Sequence, residues 1–280
     1  MSKSNIGIIG YGVVGQALHQ GFKEHSVLFF DKYKDSTPIE EVAQKSDFIF
    51  VVLPTPMFAD ESGIDLSAIE ENIALITPIT DNSEKIIIIK STVTPGTTKY
   101  FQEKYPNSKF AFNPEFLTES NFIQDFLNAP RTVIGAFNQR VLDRLSELYQ
   151  SVFPQTKIYR ADPTSAELAK DMANAYLALK VSFANQLNDY CESLGIDFET
   201  VKNLIVTDSR IVDTHLSISK DRGYGGKCFP KDTVGLIAAA KEKAVDLSII
   251  KEAWEYNKKI RKNRDWENIP FAISPRKSDK

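Results

Sequence analysis

The sequence predicts an α/β fold. A largely parallel, Rossmann-like sheet domain runs through residues 1–160, and an all-helical domain with one long central helix follows over 161–265. A short basic tail covers 266–280. Three observations predict this. Short apolar runs alternate with helical periodicity through the first part, the signature of βαβ units. A glycine-rich turn follows the first apolar run, joining a strand to a helix. After Asp162-Pro163, a stretch of 31 residues contains neither Gly nor Pro and then meets Gly195.

The strands are read in order at Ile6–Ile9, Val27–Phe30, Phe48–Leu53, Ile86–Ile89, Phe110–Phe112, Thr132–Ile134 and Lys157–Tyr159. Strands buried on both faces of a parallel sheet should be nearly continuous hydrophobic runs, and these are. Helical periodicity falls between most of them, as at Val13–Lys23, Leu66–Thr77 and Gln139–Ser151. Beyond residue 160, Asp162 fits a helix N-cap with Pro163 at the first helical position. Gly195 fits the stop. A helix of this length would be a rod of roughly 46 Å, suited to a domain spine or a subunit interface. Shorter helices are predicted at Phe198–Val206, Lys231–Lys243 and Leu247–Lys262, with an irregular stretch from Thr207 to Phe229.

The composition is that of a soluble globular chain, with 42% hydrophobic and 25% charged residues in 280. The net charge of −3 argues against a dedicated nucleic-acid binder. The longest apolar runs are too short to span a bilayer, so no membrane association is expected. Met1 to Asn5 leads straight into the first strand, which predicts no signal peptide. Two cysteines, Cys191 and Cys228, make no disulfide framework, and a reducing cytoplasm is the expected setting. The three histidines form no pair at metal or triad spacing, so no metal is expected. Lys258 to Lys280 carries eight basic and three acidic residues, either a solvated tail or one that contacts phosphate or a partner.

Gly10-Tyr11-Gly12-Val13-Val14-Gly15 sits between a predicted strand and a predicted helix. In that setting the first glycine serves the tight turn, the second the approach of a pyrophosphate, and the third close helix–strand packing. The helix N-terminus offers free N–H groups and a positive dipole end. Asp31 ends the second strand, where a carboxylate accepts from a ribose 2′-hydroxyl and repels a 2′-phosphate. NAD is therefore expected rather than NADP, although the neighbouring Lys32 could tolerate phosphate. Pro54-Thr55 and the segment containing Thr92 follow other strands, at the sheet edge where ligands bind in open α/β folds. Both threonines also fit plain turn formation.

Cys228 lies in Gly223-Tyr224-Gly225-Gly226-Lys227-Cys228-Phe229-Pro230-Lys231-Asp232, just before a predicted helix start. Glycines let a backbone approach a ligand closely. A helix N-terminus and nearby lysines favour a reactive thiolate, while Asp232 opposes it. A small buried Cys beside a loop is the plain alternative, and core packing is the reading for Cys191. Lys170 and Asn174 share one helix face at i, i+4. Together they could stabilise an oxyanion, or Lys170 could be a solvated surface residue. Glu115 follows a strand end, where it could handle protons or order a water.

These segments resemble the UDP-glucose 6-dehydrogenase family of nucleotide-sugar dehydrogenases. The matching stretches are GYGVVG (10–15), LPTP (53–56), STVTPGT (91–97), NPEFLTES (113–120), AELAKDMANAYLALKVSFAN (166–185) and GYGGKCFPKDT (223–233), in family order. The resemblance implies a four-electron oxidation of a nucleotide-sugar alcohol, with UDP-glucose giving UDP-glucuronate. Two hydrides go to two NAD molecules by way of a Cys-bound thiohemiacetal and thioester. It implies Cys228 as nucleophile, Lys170 and Asn174 as oxyanion stabilisers, Asp232 in proton transfer, and Glu115 and Thr92 placing the water and reacting groups. It implies substrate contacts from Phe116, Leu117, Tyr224 and Gly225, and from Arg210 across a homodimer. Lys227 receives no catalytic role. The 280 residues contain no counterpart of the family's third α/β domain, which grips the base and phosphates. Two other readings stand beside this one. A single-hydride β-hydroxyacid dehydrogenase related to 6-phosphogluconate dehydrogenase also uses a Lys and an Asn at i, i+4. A non-catalytic nucleotide-binding subunit would need none of these groups.

Overall fold

A computed structural model of the chain describes residues 3–117 and 121–275. Thr118, Glu119 and Ser120 of the NPEFLTES segment, and residues 276–280 of the basic tail, lie outside the described residues. The chain begins β1 (Asn5–Ile9), α1 (Val13–Gly21), β2 (Ser26–Phe30), α2 (Ile39–Lys45), β3 (Phe48–Val51), β4 (Met57–Phe58) and α3 (Ser67–Thr80). It continues β5 (Ile86–Ile89), α4 (Thr97–Lys104), β6 (Lys109–Phe112), α5 (Phe122–Leu127), β7 (Arg131–Ala136), α6 (Gln139–Val152) and β8 (Lys157–Ala161). Then come α7 (Pro163–Leu194), α8 (Phe198–Ile205), α9 (Cys228–Glu242), α10 (Ser248–Ile260) and β9 (Ile273–Ser274). Two compact units result. The first holds residues up to Thr55 and Leu66–Lys170, the second Pro56–Asp65 and Asp171 onward.

In the first unit, seven strands form one sheet in the order β2-β1-β3-β5-β6-β7-β8. Every neighbouring pair is parallel except β6 with β7. Side chains alternate between sheet faces, and β5 shows what that demands of a central strand. Ile86 and Ile88 enter the core on one face, Ile87 and Ile89 the core on the other, and all four are fully buried. The seven predicted strands all occur, with ends moved by one or two residues.

Residues of α7 up to Lys170 belong to the first unit and those from Asp171 to the second. The helix starts and stops where the sequence places its ends. Asp162 Oδ1 accepts from the Ser165 N–H at 2.9 Å, and Gly195 adopts φ +69°, a left-handed conformation that favours glycine. Among the alanines around Lys170 and Asn174, Ala166, Ala175 and Ala178 are buried.

The second unit is mostly helical, but it also contains a two-stranded parallel sheet of β4 with β9 that periodicity could not reveal. One of its cores gathers Met57, Ala178, Tyr224, Val234, Trp254 and Trp266. Another gathers Ala184, Cys191, Phe198 and Leu216, the packing role expected of Cys191. Among the described residues, no helix is long and apolar enough to cross a membrane.

Three short helices, α2, α4 and α5, were not evident in the sequence. For α4 the reason is tertiary. Glu167 on α7 accepts from the Gly96 N–H at 2.6 Å, the Thr98 N–H at 2.8 Å and the Thr98 hydroxyl at 2.6 Å. A carboxylate at a helix N-terminus satisfies free donors and meets the positive dipole end. Burial pushes the Glu167 carboxyl up, while those hydrogen bonds pull the other way. Glu167→Ala should leave buried donors unsatisfied and cost about 2 kcal/mol or more of unfolding free energy. Urea denaturation checks this, and an unchanged midpoint would refute the cap.

Candidate active site

Each glycine of the first turn has a distinct surrounding. Gly10 has φ +96°, and a Cβ there would meet the Val52 carbonyl at 2.3 Å. A Cβ on Gly15 would meet the Gly10 carbonyl at 2.3 Å. A Cβ on Gly12 would have nothing within 4 Å, so the open side of the turn is at the middle glycine, which precedes α1. There the first N–H groups of α1 have no intrahelical acceptor, which suits a pyrophosphate. Val13 and Val14 open the helix, with Val13 exposed.

Asp31 follows β2 and accepts from the Tyr11 N–H at 2.7 Å and the Tyr33 N–H at 2.9 Å. A carboxylate has capacity beyond two such bonds, so it can also take a ribose hydroxyl. Lys32 is exposed. Lys34 instead reaches the glycine turn, donating to the Tyr11 carbonyl at 2.6 Å. These residues fit a dinucleotide.

The carboxyl ends of β3 and β5 are tied together. Ser91 Oγ donates to the Leu53 carbonyl and accepts from the Leu53 N–H. Thr55, next to Pro54 and buried, donates to the Thr92 carbonyl at 2.8 Å. At the end of β6, Glu115 Oε1 lies 3.4 Å from the Lys170 Nζ, and both side chains are largely buried. Glu115 Oε2 accepts from the Leu117 N–H at 2.8 Å. The Phe116 ring lies under both the Lys170 Nζ, at 5.2 Å, and the Arg131 guanidinium, at 4.2 Å. Lys170 is therefore a buried, ion-paired lysine and not a solvated one.

Lys90, which the sequence reading passed over, follows β5 and is 2% exposed. Its Nζ donates to Asn113 Oδ1 at 3.0 Å, the Asn113 carbonyl at 3.1 Å and the Pro114 carbonyl at 3.4 Å. It thus braces the segment that carries Glu115 from beneath. Burial pushes its ammonium down to about 7, Glu115 opposes that shift, and Lys170 adds to it. The signal that could have found it is parity, since Lys90 continues the inward alternation of Ile86 and Ile88.

In the second unit, Cys228 is the first residue of α9. The sequence placed it before a helix beginning near Lys231. The helix starts earlier because Pro230 falls in the first turn, where no backbone N–H is needed. One turn on, Asp232 is 3% exposed. Asp232 Oδ2 accepts from Asn174 Nδ2 at 2.6 Å, and its Oδ1 lies 2.5 Å from the Lys231 Nζ. Burial pulls the Lys231 ammonium down, but Asp232 foremost, with Cys228 and Asp171, leaves it raised overall. The cluster therefore combines a thiol at a helix N-terminus, a buried cation and a buried carboxylate held by an amide.

Before Cys228, Tyr224 is buried and donates its N–H to Asn257 Oδ1 at 2.7 Å. Gly225 and Gly223 face their own chain. A Cβ on Gly225 would meet Asp265 Oδ1 at 2.2 Å, and one on Gly223 would meet Asn257 Oδ1 at 2.2 Å. Only around Gly226 of these three is there nothing within 4 Å of such a Cβ. At Gly223 and Gly225 the missing side chain thus makes room for the chain's own Asn257, Asp265 and Arg261. Arg210 is exposed and paired with Asp208 at 2.5 Å.

Residues 28–153 match the NAD-binding domain of the UDP-glucose/GDP-mannose dehydrogenase family, and residues 164–259 match its central domain. The chain belongs to this family. The glycine turn lies just ahead of the matched NAD-binding residues. The UDP-glucose 6-dehydrogenase of Rickettsia bellii is 33% identical over 240 residues, 84% of this chain and 53% of that protein. The structure of a UDP-glucose dehydrogenase from the hyperthermophilic archaeon Pyrobaculum islandicum superposes with a TM-score of 0.82 at 26% identity. The match covers 92% of this chain and 68% of that one. The 3-hydroxyisobutyrate dehydrogenase of Mycobacterium tuberculosis shares the fold, with a TM-score of 0.74 at 14% identity, over 92% of this chain and 94% of that one. This chain spans about half the length of the curated relatives it matches.

Lys90 gives the chain a pH-dependent stability term. Its folded pKa lies below that of an unfolded lysine, so the unfolded state binds more protons between the two. The burial penalty is fully present below about pH 7 and is relieved as pH rises toward the unfolded value of about 10.4. Wild-type protein should therefore gain stability relative to Lys90→Met across that window. Parallel denaturation curves at every pH would contradict it.

Proposed function

We propose that the protein oxidises the C6 alcohol of a nucleotide sugar to the carboxylate in two NAD-dependent steps, with UDP-glucose as the substrate. When bound, NAD supplies the hydride acceptor for both oxidations. Gly10, Gly12, Gly15 and Asp31 would hold it, with Tyr11, Val13, Val14, Pro54, Thr55 and Thr92 along its path. The observation that carries the reading is the first turn of α9. It joins Cys228 to a buried lysine, Lys231, and to the Asn174–Asp232 pair.

The roles follow from chemistry. Oxidation of the alcohol releases one hydride and one proton and leaves an aldehyde. The Cys228 thiolate adds to the aldehyde carbon, the oxygen takes up a proton, and the resulting thiohemiacetal loses that proton and a second hydride to become a thioester. Water breaks the C–S bond, giving the uronate and restoring the thiol. A cationic Lys170 and the Asn174 amide suit oxyanion stabilisation. Asp232 can pass protons, and Glu115 can orient the hydrolytic water. Phe116, Leu117, Tyr224 and Gly225 are assigned to the sugar nucleotide. A thioester suits this sequence because its carbonyl is more readily attacked by water than an ester's.

A homodimer belongs to the same reading. Met172, Tyr176, Phe183, Tyr190 and Leu194 are exposed along α7, spaced by four or seven residues, which puts them on one side of the helix. A second copy of this stripe is the proposed occupant, with Arg210 reaching the partner's substrate. The two cysteines remain thiols, which agrees with a cytoplasmic setting.

Purified protein given NAD and UDP-glucose should release two NADH per sugar oxidised, and Cys228→Ala should make no uronate. One NADH per substrate would favour the single-hydride β-hydroxyacid dehydrogenase reading, and none with any nucleotide sugar the non-catalytic one. Light scattering should give twice the 31.5 kDa chain mass, falling to one chain for the double variant Tyr176→Glu/Phe183→Glu. A wild-type monomer would refute the dimer.

A further inference from the structure

The Gly223–Gly226 loop is bound on one side by residues from 30 to 40 positions later in the chain. Asn257, fully buried near the end of α10, takes the Tyr224 N–H on its Oδ1 at 2.7 Å and returns its Nδ2 to the Tyr224 carbonyl at 3.0 Å. Arg261 donates to the Arg222 carbonyl at 2.9 Å and pairs with Asp265 at 3.3 Å. Both carboxylate oxygens of Asp265 accept from the Gly226 N–H, at 3.1 and 3.2 Å. Trp266 is buried in the same core as Trp254 and anchors the far end of the segment, their ring centroids 5.5 Å apart. The glycines record this fit: any side chain at 223 or 225 would strike Asn257, Asp265 or Arg261.

We propose that Asn257, Arg261 and Asp265 are positioning residues for Cys228: a strap that fixes the backbone entering α9 and keeps the thiol at the helix N-terminus. The physical consequence is local. Gly226 adopts φ +75°, two residues before Cys228. That conformation sets the direction in which the chain enters the first turn of α9. A thiol held at a helix N-terminus is more readily ionised than one in a frayed loop. The strap therefore sets thiol reactivity without touching the sulfur. This deepens the role given to Cys228 above and rests on that reading, but it can be tested without turnover.

Two effects of Asp265 have opposite signs. Its negative charge disfavours a nearby thiolate, whereas its hold on Gly226 favours one through the helix. Asp265→Asn removes the charge but keeps an acceptor, and Asp265→Ala removes both. The experiment is alkylation of the full chain with iodoacetamide across pH, with no NAD or sugar present. Cys228 and Cys191 are separated by mass spectrometry of their peptides. The account predicts that Asp265→Ala raises the pH midpoint for Cys228 by about half a unit or more, while Asp265→Asn leaves it in place or lowers it. An unchanged midpoint in Asp265→Ala, or an equal rise in both variants, overturns the strap. Should the variants fail to fold, amide exchange on the wild-type protein decides. The Tyr224 and Gly226 amides should be protected to the level of α9, and exchange at loop rates overturns the proposal. Neither result depends on NADH production, so the absence of dehydrogenase activity would count only against the proposed function.

Discussion

Burying a charged amine is costly, and the chain does it three times around its candidate catalytic groups. Lys90, Lys170 and Lys231 are 2%, 3% and 6% exposed. An ammonium removed from water must be paired, hydrogen-bonded or neutralised. Lys170 is paired with Glu115, and Lys231 with Asp232, which Asn174 also holds. Lys90 has three oxygen acceptors from Asn113 and Pro114, and its affinity for a proton drops instead. These three arrangements dictate much of the surrounding polar structure. Asn113, for instance, uses its amide nitrogen on Thr132 and Val133 and its oxygen on Lys90 and Tyr149. Clusters of this kind are where titration behaviour can be tuned for chemistry.

Glycine supplies the complementary constraint, that of space. At Gly10 and Gly15 the chain approaches itself, and at Gly12 it leaves an opening. At Gly223 and Gly225 it again approaches itself, through side chains of α10 and the segment after it. The two glycine-rich stretches look alike in one dimension but differ in what they accommodate. The first leaves open space at its middle residue, Gly12, ahead of α1. The second receives the chain's own Asn257, Arg261 and Asp265 on one side, with open space at Gly226 just before the thiol.

Much of this architecture is legible in the sequence because its determinants are local. Four consecutive isoleucines make a buried central strand, and Asp162-Pro163 with Gly195 marks both ends of a 32-residue helix. What the sequence does not disclose depends on distant partners. Helix α4 is capped by a glutamate about seventy residues away, and β4 is too short to recognise without β9. At the candidate site, Cys228, Lys170, Asn174, Asp232 and Glu115 stand out by motif. Burial of Lys170 and Asp232 and the role of Lys90 emerge only once the strands and helices are packed. The tight fit of the loop glycines is hidden for the same reason, since the side chains they make room for lie up to forty residues downstream.

The centre of the proposed function is covalent: the oxidised sugar is held on Cys228 as a thioester until water releases it. Rapid acid quench of the Glu115→Gln variant during turnover with NAD and UDP-glucose, followed by mass spectrometry of the peptide containing Cys228, tests it directly. Slowed hydrolysis should leave the mass of the oxidised nucleotide sugar on that cysteine and on no other residue. Release of two NADH per sugar with Cys228 unmodified at every quench time would contradict the account.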